Sequence, residues 1–368
     1  MSLIKKEWLF FIFLFFFFIL FFIQKPSLMQ INSYVDWKTI RALSALLLIA
    51  TAFKLSNFFD VFAAKTVTHF KTERALAFAF ILLSTFLSMF LTNDITLFVI
   101  VPLTLAFSTQ IKNDLTKLVI FEAIAVNVGS ELTPFGNPQN IFLFRQMDIS
   151  VIDFIEKMSV IFIPQFILLI IFILIFFPKK NLQIQTSKTG KKDRFLFMSS
   201  VVLFIIFIFS IEYSTVRYAL LIIVGYYLFT GYKNVFLRFD YFLILTFIIM
   251  FVDFGMLSRL ECVKNFMNSI QMDFYNVFNI SIILSQIMSN VPAAIFMSNF
   301  SNDYLTIAYG TNIAGNGLLI GSLANVITLR FLKNPKAYVD FHKYSVPFFI
   351  LSYLIILVIF YKFTRLVL

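Results

Sequence analysis

Long apolar segments without any charged residue alternate with short polar segments along most of the chain. Seven of these charge-free segments cover much of its length: Trp8–Ile23, Ala75–Asn93, Ser159–Phe177, Phe195–Ile211, Phe274–Asn302, Tyr304–Leu329 and Tyr344–Tyr361. A helix needs about 20 mostly apolar residues to cross the hydrocarbon core of a bilayer. Several segments meet this length, so the pattern predicts an all-α membrane protein with about nine spanning helices, two of them broken.

Polar, turn-forming residues interrupt two apolar stretches near their middle. Tip 1 (Thr92–Asp94) interrupts residues 75–109, and tip 2 (Ser289–Pro292) interrupts residues 274–302. A helix that turns halfway through such a stretch reaches only the bilayer midplane. Irregular backbone is tolerated at that depth where it lines a cavity or is buried in protein. The pattern therefore predicts two re-entrant helical hairpins, over 75–109 and 274–302.

Two further segments contain residues that prevent a continuous helix. Residues 115–146 include two prolines and a glycine within Thr133–Pro138, and residues 303–329 include Gly310, Gly315, Gly317 and Gly321. The N-terminal ends of broken helices attract anions, and their C-terminal ends and free carbonyls attract cations. Paired broken helices in the two halves of a chain therefore predict a transport site.

The two halves of the sequence carry these features in the same order. Leu87–Asn93 and Leu284–Asn290 share the pattern Leu-Ser-x-x-x-(Ser/Thr)-Asn, and Asp36 and Asp240 each precede a predicted helix. Downstream, an Asn, a Gly and an Asn recur at equal spacing: Asn127, Gly136 and Asn140, then Asn312, Gly321 and Asn325. This self-similarity predicts two repeats, residues 1–177 and 195–368, joined by a basic cytoplasmic linker at 178–194.

Composition and charge agree with a membrane protein. Hydrophobic residues make up 60% of the chain and charged residues 13%, whereas about a quarter of a soluble domain is charged. The net charge of +11 fits basic loops retained in the cytoplasm, so no nucleic-acid partner is expected. With Lys5 and Lys6 taken as cytoplasmic, counting the predicted membrane crossings places the 178–194 linker in the cytoplasm too. The same count makes the two hairpins open to opposite faces of the membrane. The repeats are therefore predicted to be inverted, in the cell inner (cytoplasmic) membrane.

Each tip offers oxygen ligands without a fixed charge. Ser88 lies four residues before Thr92, and Ser285 lies four before Ser289, so the members of each pair share a helix face. Hydroxyl, amide and free carbonyl oxygens are the ligands that Na⁺ prefers among common donors. The tips are therefore candidate cation sites.

These motifs resemble those of the ion transporter superfamily, which includes citrate-transporter-like permeases, divalent anion–sodium symporters and arsenite permeases. The most specific matches are residues 91–94, 132–140 and 285–294, and the resemblance extends over about residues 35–365. It implies a scaffold domain, a mobile transport domain with an elevator-type movement, and a homodimer.

Carried over by position, the resemblance implies two cation sites, one at each hairpin tip. With residues of the broken helices included, the expected cation-binding set is Ser88, Thr92, Asn93, Gly129, Asn137, Ser285, Ser289, Asn290 and Ala314. The expected substrate-binding set is Asn93, Asp94, Asn137, Pro138, Asn140, Asn290, Val291, Pro292, Ser322 and Asn325. The chain departs from carboxylate symporters at Asp94 and Val291, where those proteins have Thr. Asn-Asp at tip 1 is more similar to the arsenite-permease branch, so the substrate stays open.

The leading hypothesis is secondary transport of a small anion, a di- or tricarboxylate or an arsenite-like oxyanion, coupled to Na⁺ or H⁺ with no other cofactor. The alternative is a Na⁺/H⁺ antiporter without an organic substrate, in which Asp94 and Glu131 exchange the ions.

No P-loop motif is present in the sequence, so ATP hydrolysis by this chain is not expected, although an ATPase partner stays open. An intramembrane enzyme lacks a supporting nucleophile motif. A channel fits less well than alternating access, because the hairpins are predicted to open to opposite faces.

Three further acids lie in or near predicted membrane segments. Glu122 follows Lys117 by little more than one helical turn, and the expectation for it is a place at the inner interface. Asp253 is a functional candidate because it is intramembrane, or it pairs with Arg259. Glu131 lies in the first helix break, where it either titrates or takes a structural or exposed position.

Overall fold

Helices form nearly all the regular structure of the computed structural model, which describes residues 7–185, 191–212 and 215–367. Within those ranges, β-structure is limited to isolated bridges, Thr72 with Asn181 and Ile111 with Ile184, and no strand forms. The predicted all-α class is therefore confirmed. Lys5 and Lys6, from which the crossings were counted, lie outside the described residues, as does part of the basic linker (186–190).

The chain divides into two compact units, and each takes segments from both halves of the sequence. Unit 1 comprises the described parts of Met1–Val67 and Thr186–Phe266. Its helices are α1 (Trp8–Gln24), α2 (Leu28–Tyr34), α3 (Trp37–Leu55), α4 (Phe58–Thr66), α10 (Arg194–Glu212), α11 (Val216–Phe229), α12 (Asn234–Leu237) and α13 (Tyr241–Leu257), and α14 (Glu261–Asn268) begins in it.

Aspartates start two long helices of unit 1, as the repeat predicted. The Asp36 carboxylate accepts hydrogen bonds from the backbone N–H groups of Lys38 and Thr39 at the start of α3. Asp240 accepts one from the N–H of Leu243 at the start of α13. A carboxylate is stable there because a helix begins with free N–H groups and the positive end of its dipole.

Asp253 is buried in α13 of unit 1 without the expected partner. Neither of its carboxylate oxygens has a hydrogen-bond partner. The guanidinium carbon of Arg259 lies 4.7 Å from the centre of the Tyr34 ring. The alternative reading of Asp253, an ion pair with Arg259, is therefore not observed.

Unit 2 comprises Thr68–Gln185 and the described part of Met267–Leu368. It contains both predicted hairpins and both predicted broken helices. Its helices are α5 (Glu73–Phe90), α6 (Asn93–Ser108), α7 (Thr116–Ser130), α8 (Pro138–Phe144), α9 (Val151–Phe176), α15 (Phe274–Met288), α16 (Asn290–Met297), α17 (Tyr304–Ala314), α18 (Leu323–Leu332) and α19 (Lys336–Val367).

Two pairs of helices in unit 2 form helical hairpins. Hairpin 1 is α5 with α6, and hairpin 2 is α15 with α16; the helices of each pair pack against each other. The bounds of hairpin 1 agree with the predicted 75–109. In hairpin 2 the second helix ends at Met297, before the predicted 302. The side chains of Ser298 and Asn299 donate to the carbonyl of Ile295, and such local bonds compete with helix continuation.

Both predicted helix breaks are present. Break 1 (residues 131–137) separates α7 from α8, and break 2 (residues 315–322) separates α17 from α18. A Cβ atom at Gly136 would lie 2.1 Å from the carbonyl oxygen of Ser130, and one at Gly321 would lie 2.6 Å from that of Ala314. The chain therefore turns back on the preceding helix at a place where only glycine fits.

The broken helices of unit 2 pack crosswise. Helix α7 packs against α18, and α17 packs against α8. Each helix before a break thus contacts the helix that follows the other break. The C-terminal ends of α7 and α17 and the N-terminal ends of α8 and α18 therefore lie in one region of unit 2.

The start of the basic linker is more ordered than a solvated loop. Lys180 accepts a backbone hydrogen bond from Glu73, and Gln183 accepts one from Lys112. Leu182 donates to the carbonyl of Lys71 and is buried. Residues 178–185 therefore pair with the segments that flank hairpin 1.

By length and composition, three helices of the described chain can span a membrane: Glu73–Phe90, Val151–Phe176 and Lys336–Tyr361. The number becomes five if each of two bent pairs counts as one span, with bends of 58° and 59°. Breaks and tips shorten many of the other apolar helices. The count of about nine spans, the inverted repeats and the re-entrant nature of the hairpins stay predictions.

Candidate functional site

Tip 1 is attached to break 1 by its backbone. The N–H of Asn93 donates to the carbonyl of Gly136 at 2.8 Å, and the hydroxyl of Thr92 accepts from the N–H of Ile95 at the start of α6. The side chains of Asn93 and Asp94 are buried. One Asp94 carboxylate oxygen, Oδ1, has no hydrogen-bond partner.

Hairpin 2 is attached to break 2 by a side chain of α15 that precedes tip 2. Gln286 donates from Nε2 to the carbonyl of Ala314 at 2.8 Å and accepts from the N–H of Leu318 at 2.6 Å. The corresponding position of hairpin 1 is Met89, whose carbonyl accepts from the hydroxyl of Thr133 at 2.6 Å. Each hairpin therefore holds the break of its own half at the same place, by different chemistry.

A cluster of buried amides joins the two breaks. Asn127, at the end of α7, donates from Nδ2 to Asn325 Oδ1 at 2.9 Å, and its Oδ1 accepts from the Ser322 hydroxyl at 3.0 Å. The contact is reciprocated in the other half. Asn312, at the end of α17, donates to Asn140 Oδ1 at 2.7 Å and accepts from Asn137 Nδ2 at 2.8 Å. We call these six residues the crossed amide cluster.

The same amides also satisfy carbonyls that the breaks leave free. The Gly315 carbonyl accepts from Asn127 at 3.0 Å and from Asn325 at 2.9 Å. Around break 1, Asn137 and Asn140 donate to the carbonyl of Ser130. Buried backbone carbonyls need such partners because water is excluded.

The structure brings some of the predicted site residues together and leaves others apart. Asn137, Asn140, Ser322 and Asn325 meet in the crossed amide cluster, and Asn93 approaches it with Nδ2 3.5 Å from Asn127 Oδ1. Pro138 begins α8. No hydrogen bond joins tip 1 to tip 2 within the described residues.

The hydroxyls before the tips are directed at their own helices. Ser88 donates to the carbonyl of Thr85 at 2.9 Å, and Ser285 donates to that of Ser281 at 2.7 Å. A hydroxyl oxygen keeps lone pairs while it donates, so the predicted cation-binding role stays a prediction. The same holds for Gly129 and Ala314, which lie at the ends of α7 and α17. Val291 and Pro292 are half-buried in tip 2, and their predicted substrate-binding role also stays a prediction.

A second buried polar chain was missed from the sequence. Gln165 Nε2 in α9 donates to both carboxylate oxygens of Glu131, at 2.8 and 2.7 Å. Gln165 Oε1 accepts from Asn316 Nδ2 at 3.3 Å. All three side chains are fully buried, so an exposed position for Glu131 is ruled out. The available signal was Gln165 itself, the one amide in the charge-free segment Ser159–Phe177.

Ser289 at tip 2 adopts a backbone conformation that favours glycine, with φ 70° and ψ 157°. Such a conformation costs about 1–3 kcal/mol in a residue with a side chain. We expect Ser289→Gly to be more stable than Ser289→Ala by about 1–2 kcal/mol, because both lose the hydroxyl and only glycine relieves the strain. Thermal melting of the purified variants measures the difference.

Ser298 provides the matched control, because it directly follows α16 and keeps a right-handed helical conformation with φ −63°. There the order should be reversed, with alanine more stable than glycine by up to about 1 kcal/mol. Equal melting of Ser289→Gly and Ser289→Ala would contradict the strain.

Comparison with known proteins identifies the family. The family model described as "Citrate transporter" matches residues 6–301. The chain is 36% identical over 315 residues to "Inner membrane protein YbiR" of Escherichia coli, covering 85% of this chain and 84% of that protein. It is 39% identical over 307 residues to "Uncharacterized transporter MJ0456" of Methanocaldococcus jannaschii, covering 82% and 83%. A shorter match, 24% identical over 155 residues, joins 42% of this chain to 28% of "Putative transporter arsB" of Dictyostelium discoideum. The chain therefore belongs to the citrate transporter family, and it is a multi-pass membrane transporter of the citrate and arsenite permease type.

Proposed function

We propose that this chain carries a small anion across the cell inner membrane by alternating access, coupled to Na⁺ or H⁺. The observation that carries the proposal is the crossed amide cluster between the two helix breaks, beside hairpin tip 1. Neutral amides that join two half-helices provide hydrogen-bond donors and acceptors without a permanent charge. Such a site can bind an anion and a cation in turn and release both.

Oxygen donors near the breaks support a cation site. Thr92, Asn93, Ser289 and Asn290 offer hydroxyl and amide oxygens, and the breaks add backbone carbonyls. Hard oxygen ligands without fixed charge suit Na⁺. Cation binding at both tips therefore remains our expectation, with Gly129, Asn137 and Ala314 as neighbours that supply carbonyl or amide groups.

Helix N-termini support an anion site in the same unit. Helix α6 begins at tip 1, and α18 begins directly after Ser322. A helix N-terminus attracts negative charge. Asp94 lies in the first turn of α6 and would repel a second carboxylate. This charge favours a monovalent anion over a fully ionised di- or tricarboxylate at tip 1.

The division of the chain supports an elevator-type movement. Unit 2 contains both hairpins and both breaks, and unit 1 contains neither. We expect unit 2 to be the transport domain and unit 1 the scaffold of a homodimer in the lipid bilayer. An ATPase partner is not required by this mechanism, because the ion gradient drives transport.

Na⁺/H⁺ antiport is the second candidate, and Asp94 is the observation that favours it. Its buried carboxyl has an oxygen without a hydrogen-bond partner, and buried intramembrane acids mark ion pathways. In that mechanism Na⁺ and H⁺ compete for the carboxylate, and no organic anion is carried.

Ligand-dependent melting of the purified protein tests the proposal. Succinate, citrate, sulfate and arsenite are added singly, with and without Na⁺. A ligand at a hundred times its dissociation constant stabilises the folded state by about 2.7 kcal/mol, which raises the melting temperature. We expect one anion class to stabilise the protein, and its effect to depend on Na⁺ or on pH.

Two asparagines provide the control for this experiment. Asn290→Ala removes a buried tip amide, whereas Asn299→Ala changes an exposed one in the same hairpin. The response to the anion should be lost in the first variant and kept in the second. Stabilisation by Na⁺ or pH alone, lost in Asp94→Asn, would support antiport instead. No response to any ion would overturn both.

A further inference from the structure

Glu122 is a buried acid that the proposed transport site does not use. It lies in the middle of α7, and both Glu122 and its partner Thr104 are fully buried. The Thr104 hydroxyl, on α6, donates to Glu122 Oε1 at 2.5 Å. The other oxygen, Oε2, has no hydrogen-bond partner. The sequence had suggested a place at the inner interface but gave no sign of this burial.

The surroundings of Glu122 are apolar. Val119 and Val126 lie three residues before and four residues after it, on the same face of α7. They pack with Leu97 and Val101 of α6 in a fully buried cluster. A carboxylate in such a place lacks the water that would stabilise its charge, and buried charges are normally paired.

The nearest lysine in the sequence does not pair with Glu122. Lys117 donates from Nζ to the carbonyl of Phe176 at 2.6 Å and lies 4.7 Å from the centre of the Phe177 ring. The titratable groups on α7 and the helices packed against it include Arg74 on α5, Asp94 on α6, Glu131 after α7, Tyr309 on α17, Arg330 on α18 and Tyr344 on α19. Within the described chain, none of these is hydrogen-bonded or ion-paired to Glu122.

Both protonation states of Glu122 can be hydrogen-bonded by the same hydroxyl. When the carboxyl is ionised, Thr104 donates to Oε1, as in the structure. When a proton binds Oε1, the acid O–H donates to the Thr104 oxygen, and the hydroxyl hydrogen turns to the helix carbonyl four residues earlier, that of Ile100. The proton is taken from water and returned to water, and no other bond changes.

The position of Thr104 makes this contact sensitive to the shape of hairpin 1. Pro102 lies within α6, two residues before Thr104. Proline cannot donate to the carbonyl four residues earlier, so helices bend at such positions. A change in the bend of α6 moves the hydroxyl relative to Glu122, whose place is fixed by α7.

We propose that Glu122 is a proton-binding site, held by Thr104, that is loaded and unloaded as α6 moves against α7. This inference rests on the proposed transport function and gives it a proton route separate from the tips. The position that corresponds to Glu122 in the second repeat is Ile307, so the site belongs to the first half alone.

Infrared spectroscopy of the full-length protein in lipid, between about pH 5 and about pH 9, tests the site without a substrate. The wild-type protein should show a carboxylic acid band that Glu122→Gln removes. Thr104→Val should keep the band and shift it to higher frequency, because it removes the hydrogen bond. Glu156→Gln, at an exposed acid of α9, should leave the band unchanged. A Glu122→Gln spectrum identical to the wild type, or a band that Thr104→Val does not shift, would overturn the site.

Uptake by proteoliposomes tests the coupling. With the anion that stabilises the wild-type protein, uptake at acidic and alkaline pH should differ about tenfold or more, and Glu122→Gln should abolish the difference. Unchanged pH dependence in that variant would overturn the coupling role. If the wild-type protein carries none of the anions, the proposed transport function fails, and the infrared result still decides whether Glu122 binds a proton.

Discussion

Gly129→Ala should severely destabilise unit 2, by about 3 kcal/mol or more. A Cβ atom at Gly129 would lie 2.1 Å from the carbonyl oxygen of Thr85 and 2.3 Å from the hydroxyl of Ser88. The first contact is with backbone, so it is not relieved by a side-chain rotation. Helices α5 and α7 would have to separate where hairpin 1 packs against the first broken helix.

Gly225→Ala is the matched control. Gly225 also lies within a helix, α11, but the nearest atom to an added Cβ would be 3.9 Å away, in the flexible side chain of Phe229. Alanine there should stabilise the protein by about 0.4–1 kcal/mol. Thermal melting of both variants in detergent gives the comparison. Similar melting temperatures for Gly129→Ala and the wild type would show that α5 and α7 do not pack at this distance.

The hairpins and breaks of unit 2 could be predicted because their causes are local. A polar Thr-Asn or Ser-Asn pair within an apolar stretch begins a new helix, and Gly136 and Pro138 prevent a continuous one. The Asp36 and Asp240 caps are of the same kind. The predicted end of hairpin 2, at residue 302, was too late, because α16 ends at Met297. The sequence did not reveal that the side chains of Ser298 and Asn299 donate to a backbone carbonyl.

Contacts between distant segments could not be predicted from the sequence. The repeat gave the positions of Asn127 and Asn312, but spacing within one half does not tell which half each asparagine contacts. The crosswise packing of α7 with α18 decides that. The burial of Glu122 was missed for the same reason, since its environment depends on α6 and not on the nearby Lys117.

Asn312→Leu should destabilise the protein by about 3 kcal/mol, although the leucine side chain has the same number of heavy atoms and the same branching. Asn312 donates to Asn140 Oδ1 and to the carbonyl of Ala308, at 2.7 and 2.8 Å, and accepts from Asn137 Nδ2. Leucine leaves the oxygen of Asn140 buried without this donor. Each buried polar group that loses its partner costs about 1–3 kcal/mol.

A double-mutant cycle distinguishes loss of the cluster from a general packing defect. If Asn312 and Asn140 act through their hydrogen bond, the double variant Asn312→Leu with Asn140→Leu should lose less stability than the sum of the two single losses. The difference, the coupling energy, should be about 0.5–3 kcal/mol. Asn299→Leu, at the exposed end of hairpin 2, should change stability by less than about 0.5 kcal/mol and should add independently to Asn312→Leu. Melting and chemical denaturation of the three single and two double variants give these energies. Additive effects for the Asn312 and Asn140 pair would mean that the two breaks are not joined by these amides. In that case, movement at one break would not be transmitted to the other through the cluster, and the proposed site would lose its physical basis.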